Sequence, residues 1–156
     1  MKRQHLIACM LFLATSCAPQ GKAPPRHADV DAELRQATQR YARLVLHMDN
    51  AGIAALFTDD GQLVTQGQKP IEGPKEIESF LEKFKQYQVQ AESLETQTVT
   101  GNADSGQVTG RYHQSVRLPA GNVVDVHGAF TADWVRGSDD VWRMRRMTAI
   151  PDQQGD

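Results

Sequence analysis

Few residues in this chain have the types and spacings that chemistry needs. His113 and His127 alternate onto one strand face with Asp125, which is how a metal site begins. Their remaining neighbours there are Arg111 and Ser115, no third ligand has the right spacing, and His47 lies elsewhere. The pattern implies no metal and no cofactor. It also lacks a Ser-His-Asp or Cys-His set and a glycine-rich phosphate loop. What remains is polar groups set among large apolar ones. Gln114 shares an alternating face with Tyr112 and, from the next segment, with Phe130 and Trp134. Arg146 alternates with Trp142 and Met144, and Tyr41 lies on an apolar helical stripe. A few polar groups converging in an apolar cavity are what a small-molecule site uses to orient its ligand. The same Tyr41, Gln114 and Arg146 also suit a filled core in which they satisfy one another. The sequence leaves both readings open.

The elements that hold these residues follow from periodicity. Asp29 or Asp31 can cap a first helix, on which Val30, Leu34, Ala37, Tyr41, Leu44, Val45 and Met48 form one stripe. Asp49-Asn50-Ala51-Gly52 turns a corner into a short helix carrying Ile53, Leu56 and Phe57. Asp59-Asp60-Gly61 is expected to end it, with Leu63-Val64-Thr65 as a first strand and residues 70–74 as loop. Pro74 suits the first turn of a third helix, whose buried face is Ile77, Phe80, Leu81 and Phe84.

From Gln88 the period becomes two, with a turn over residues 101–106. A three-residue loop at Ala120-Gly121-Asn122 sets the next register. It pairs Leu118 with Val124, Gln114 with Gly128, Tyr112 with Phe130 and Val108 with Trp134, leaving Arg117 beside Asp125 and Ser115 beside His127 on the other face. A slip of one residue mixes the faces. The last strand, from Trp142 to Ile150, alternates Trp142, Met144, Arg146 and Thr148 on one side. Three helices ahead of a long antiparallel sheet make an α+β domain with the helices on one sheet face.

The chain has 156 residues and a formal charge of −2, which gives no footprint for nucleic acid. Lys2 and Arg3 precede an apolar run from Leu6 to Leu13, too short to span a bilayer, and then Ala14-Thr15-Ser16-Cys17. These residues describe an exported leader at 1–16, and the last four resemble the bacterial lipobox, which makes Cys17 the lipidated first residue of the mature protein. Cys9 leaves with the leader, so Cys17 has no disulfide partner. Residues 17–27 read as a flexible tether, 28–150 as the domain and 151–156 as a tail. Ala18 follows Cys17 in place of an inner-membrane retention Asp, so the expected address is the outer membrane, facing the periplasm.

Residues 29–150 resemble the nuclear transport factor 2-like superfamily and, within it, the SnoaL-like domains. The resemblance rests on Leu56-Phe57-Thr58-Asp59-Asp60-Gly61, on Ile71 and Gly73 followed by Ile77 and Phe80, on Val108-Thr109-Gly110-Arg111-Tyr112, and on Gly128-Ala129-Phe130 with Trp134 and Trp142. It implies a sheet wrapped into a cone by helices, a pocket at the open end for a small apolar ligand, and frequent homodimers. Residues 40–60 also align without gaps on ketosteroid isomerase of the same superfamily. Tyr41 then matches the oxyanion-hole tyrosine, and the base position falls on Thr65, which has no useful proton acceptor. The expectation is a lipid-anchored envelope protein that binds a small apolar molecule or assists an envelope process through protein contact. An isomerase, cyclase or hydrolase of SnoaL-like type is the alternative, and a dimeric scaffold with a filled cone is another.

Overall fold

The computed structural model describes residues 29–152. The expected leader, the lipidation at Cys17, the tether up to residue 27 and the end of the tail lie outside the described residues. The elements run α1 (Val30–Leu46), α2 (Asn50–Ala54), β1 (Phe57–Thr65), β2 (Ile71–Glu72), α3 (Pro74–Leu81), a single 3-10 turn (Glu82–Phe84), β3 (Gln88–Gly101), β4 (Ser105–Arg117), β5 (Val123–Arg136) and β6 (Trp142–Pro151). One curved six-stranded sheet has the order β2-β1-β6-β5-β4-β3. The expected all-antiparallel sheet is corrected at one place. β1 runs parallel to β6, so the sheet is mixed. These strands are joined through the rest of the domain, and a connection that long permits a parallel pair.

Capping starts both early helices. The Asp29 side chain accepts from the Ala32 amide at 2.9 Å, and Asp49 does the same for Gly52 at 2.9 Å. Leu34, Thr38 and Ala42, four apart, form the buried line of α1. Gln39 donates to the Leu94 carbonyl at 2.9 Å, which ties α1 to β3. Two expectations nearby fail. Asp59-Asp60-Gly61 does not close a helix, because α2 stops at Ala54 and β1 already pairs with β6 at Phe57. The three residues lie instead in the irregular stretch between Phe57 and Gln62. Ile71 and Glu72, expected as loop, form a short edge strand against Leu63 and Gln62.

The register of β4 and β5 is shifted by two from the expected one. Tyr112 faces Gly128, Gly110 faces Phe130, Val108 faces Ala132, Gln114 faces Val126 and Ser115 faces Asp125. Tyr112 therefore does not pair with Phe130, nor Arg117 with Asp125. The turn explains the shift. The Gly121 amide bonds the Leu118 carbonyl at 2.9 Å, closing a turn with Pro119 second, and Gly121 itself has φ +94°. The loop is thus Pro119-Ala120-Gly121, with proline where φ is already set and glycine where φ must be positive. Packing favours the same register. A Cβ on Gly128 would sit 2.8 Å from the Tyr112 ring, and one on Gly110 would sit 2.9 Å from the Phe130 ring. Each aromatic covers the glycine facing it, which a direct Tyr112–Phe130 pair would prevent. An even shift leaves the faces unchanged, so Val108, Phe130, Ala132 and Trp134 are all buried as expected.

Bulges decide which side chains face the helices. β3 has an extra residue at Gln90 and another at Gln97, and β6 has one at Arg145. A single extra residue reverses the alternation beyond it. In β6 the buried residues are Trp142 and Met144 before the bulge and Met147 after it, while Arg146 is exposed opposite Asp133. The closed end of the cone holds Leu34, Val108, Trp134 and Met144, all at most 1 % exposed. Arg136 clamps it. Its guanidinium pairs with Glu33 of α1, stacks on Trp142 at 4.3 Å and donates to the Ala103 carbonyl at 2.8 Å.

Candidate ligand-binding cavity

Two adjoining cavities open between the helices and the concave face of the sheet. One, of about 260 Å³, is bounded by Tyr41 and Val45 of α1, Glu92 and Leu94 of β3, Tyr112 and Gln114 of β4, Val126 and Phe130 of β5, and Met147 and Ala149 of β6. The other, of about 400 Å³, extends toward α2 and α3 between Ile53, Phe80, Leu81, Phe84, Tyr87 and Val116. Tyr41, Val45, Thr65 and Gln114 line both. Phe80, Phe84 and Tyr87 stack in sequence, with ring centroids 5.2 Å and 5.7 Å apart. Phe84, expected on a buried helix face, is 40 % exposed, because α3 ends at Leu81 and the 3-10 turn swings its ring to the rim of this cavity. A further depression of about 440 Å³ lies over the closed end, where Glu33 and Arg136 form its ion pair.

Four expected site residues come together: Tyr41, Tyr112, Gln114 and Phe130 all line the smaller cavity. Two do not. Trp134 is on the correct face but at the closed end, 1 % exposed and opposite Gly106. Arg146 is turned outward by the bulge at Arg145, and Met147 and Ala149 take its place on the wall.

Glu92 is the functional candidate that sequence reading misses. Among the described residues, it is the only Asp, Glu, Lys, Arg or His that lines either cavity. It sits directly across from Gln114 in the β3–β4 ladder. Burial pushes its carboxyl up to about 7, and a hydrogen bond from the Gln114 side chain holds it partly back. Its Oε2 atom is buried with no hydrogen-bond partner among the described residues. Counting by twos from Val89 sends Glu92 outward, and the extra residue at Gln90 brings it in. The available signal was the alternation Glu92, Leu94, Thr96, in which Leu94 is unambiguously buried.

Glu92 also acts on its neighbours. Burial, and then the Glu92 charge, push the Tyr41 phenol far above its ordinary value. The Tyr112 phenol is raised by burial first, then by Asp152 and Glu92, with Arg111 opposing. At neutral pH both phenols are therefore donors and not bases. Thr65 lines both cavities with a hydroxyl, at the position the isomerase resemblance gives to the base.

The outer sheet face carries the histidines. His113 and His127 face each other across β4 and β5, with Asp125 3.2 Å from His113 and Asp152 3.9 Å from His127. Arg111 pairs with Asp152, which diverts that carboxylate. No group of three His, Cys, Asp or Glu among the described residues could hold a metal ion.

Comparison with solved structures gives the same architecture. A conserved protein from Planctomyces limnophilus superposes with a TM-score of 0.72 at 21% identity, covering 81% of this chain and 98% of that one. A ketosteroid isomerase-like protein from Erwinia carotovora atroseptica gives 0.71 at 19% identity, over 79% and 96%. An NTF2-like protein with a cystatin-like fold from Novosphingobium aromaticivorans gives 0.65 at 19%, over 80% and 82%. At such identities the likeness concerns the fold alone. No curated protein matches the chain. A family model described as the SnoaL-like domain matches residues 26–148, and the chain belongs to that family.

Proposed function

We propose that this protein binds a small, largely apolar molecule in the open end of its cone, and that a lipid on Cys17 holds it at the outer membrane facing the periplasm. The observation that carries the binding reading is the pair of adjoining cavities, walled by Val45, Leu94, Phe130, Met147 and the Phe80–Phe84–Tyr87 stack. A filled scaffold would have no use for such space. The anchor reading rests on Ala14-Thr15-Ser16-Cys17 after a short apolar run, and Cys17→Ser is expected to block both processing and acylation. Pairing of two copies belongs to the same proposal. The binding test uses N-phenyl-1-naphthylamine, a neutral dye that brightens in apolar surroundings. Its fluorescence is expected to rise with the protein and to be lost in Val126→Trp, where the indole fills the cavity wall. An equal rise in that variant, with its circular dichroism unchanged, overturns the reading.

A catalytic version is favoured by one observation, the Glu92 carboxyl brought near neutrality beside Tyr41. A 3-oxo-Δ5-steroid isomerisation assay tests the nearest precedent. With Thr65 at the base position, turnover is expected to be undetectable, and clear turnover abolished by Tyr41→Phe would establish the enzyme instead.

A further inference from the structure

Among the described residues that line the smaller cavity, one has a buried polar atom that the fold leaves without a hydrogen-bond partner. Glu92 projects from β3 into the smaller cavity, Gln114 bonds it from β4, and Oε2 is left buried without a partner among the described residues. A buried oxygen in that condition costs free energy in the empty protein and is recovered when something donates to it. We propose that Glu92 is the counter-ion for a protonated amine, and that the ligand of this cone is an apolar body carrying one ammonium group. This rests on the open-cone reading above.

Three features choose an ammonium over other donors. First, the cavity walls contain a single carboxylate and no Lys, Arg or His among the described residues, so nothing inside competes for Glu92 or repels a cation. Second, Tyr41 comes from α1, Tyr112 from β4 and Phe130 from β5, so three aromatic rings line the same space. Aromatic faces attract cations, most strongly where water is excluded. Third, an ionised acceptor with an N⁺–H donor makes the stronger, charge-assisted kind of hydrogen bond, roughly twice a neutral one. The remaining titratable groups do not reverse this. Tyr41 and Tyr112 are both held neutral, and Arg111 and Asp152 act on Tyr112 from outside the cavity walls.

The sign of the pH dependence follows. An aliphatic amine stays protonated throughout pH 5 to 8, so Glu92 alone changes. As pH falls through about 7 its carboxyl takes a proton, and the amine must displace that proton to bind. Amine affinity is therefore expected to fall toward pH 5, while affinity for a neutral analogue stays level.

The probes are 1-aminoadamantane, 1-adamantanol and 2-adamantanone, which share a rigid apolar cage and differ in the polar group. Isothermal titration calorimetry on the full mature protein at pH 5.5 and pH 8 reads the affinities. The amine is expected to bind about tenfold or more tighter than the alcohol at pH 8, about 1.4 kcal/mol, and to lose most of that lead at pH 5.5. Glu92→Gln is expected to remove the lead at both pH values. Equal binding of amine and alcohol to the native protein overturns this inference and leaves the open cone standing. So does an amine lead that survives in Glu92→Gln, or a ketone that binds best. Binding of none of the three overturns both readings. The wild-type pH series stands by itself if the variant fails to fold.

Discussion

Replacing Glu92 by Gln has a consequence for stability that depends on pH in a definite way. The native carboxyl titrates near 7, against 4.5 for the ordinary group, because folding removes it from water. The native state therefore holds its proton more tightly than the unfolded chain. A group whose folded value is raised contributes its full stability below the unfolded value and loses it as pH climbs through the folded one. Here the window runs from about pH 4.5 to about pH 7. At about 1.36 kcal/mol per pH unit, the whole step is worth roughly 3 kcal/mol. Gln has nearly the same shape as protonated Glu and never ionises, so the variant escapes that loss. The two proteins should differ by less than about 1 kcal/mol at pH 4.5, and the variant should be more stable by about 3 kcal/mol at pH 8. Urea unfolding of both at half-unit intervals measures the difference, and every other titrating group cancels in it. A difference that stays constant to about 0.5 kcal/mol between pH 4.5 and pH 8 would refute a buried, weakly partnered carboxyl.

Trp134→Ala should cost about 3–5 kcal/mol in chemical denaturation, since the ring is fully enclosed at the closed end, whereas Asp125→Ala, in an exposed pair with His113, should cost under about 1 kcal/mol. Gly110→Ala places a Cβ 2.0 Å from the Glu95 carbonyl oxygen, backbone that cannot swing aside, and should lower stability by about 1–3 kcal/mol in the same assay. Asp49→Ala removes the cap on α2 and should cost about 1 kcal/mol, with Asp49→Asn restoring most of it.

Most of the frame was legible because it depends on period alone. The stripe of α1 and its Asp29 cap, the Asp49 corner, Pro74 opening α3 and the inward faces of β4 and β5 all repeat over many residues. A wrong register survived without harm for the same reason, since a shift of two keeps every residue on its face. What hid that shift was the choice of loop. Ala120-Gly121-Asn122 and Pro119-Ala120-Gly121 both contain the glycine, and only turn geometry separates them, by requiring positive φ at the last position. Tyr112 and Phe130 look like natural partners until the glycines facing each of them are considered.

Two of the errors at the cavity share one cause, and it also shapes the cavity. Arg146 was expected inside and lies outside, while Glu92 was not expected and lies inside, and each stands just beyond an extra residue, Arg145 in β6 and Gln90 in β3. Alternation is reliable only while every residue of a strand has one partner; around Arg145 nothing announces that a partner is missing, and past Gln90 only the alternation Glu92, Leu94, Thr96 does. The bulges also bend the strands that carry them, and a bent sheet is what leaves room between itself and α1. A flat sheet with unbroken alternation would point Arg146 at the core and Glu92 at water. The interruptions that defeat a periodic reading of this chain are thus the features that place the Glu92 carboxylate in an apolar cone.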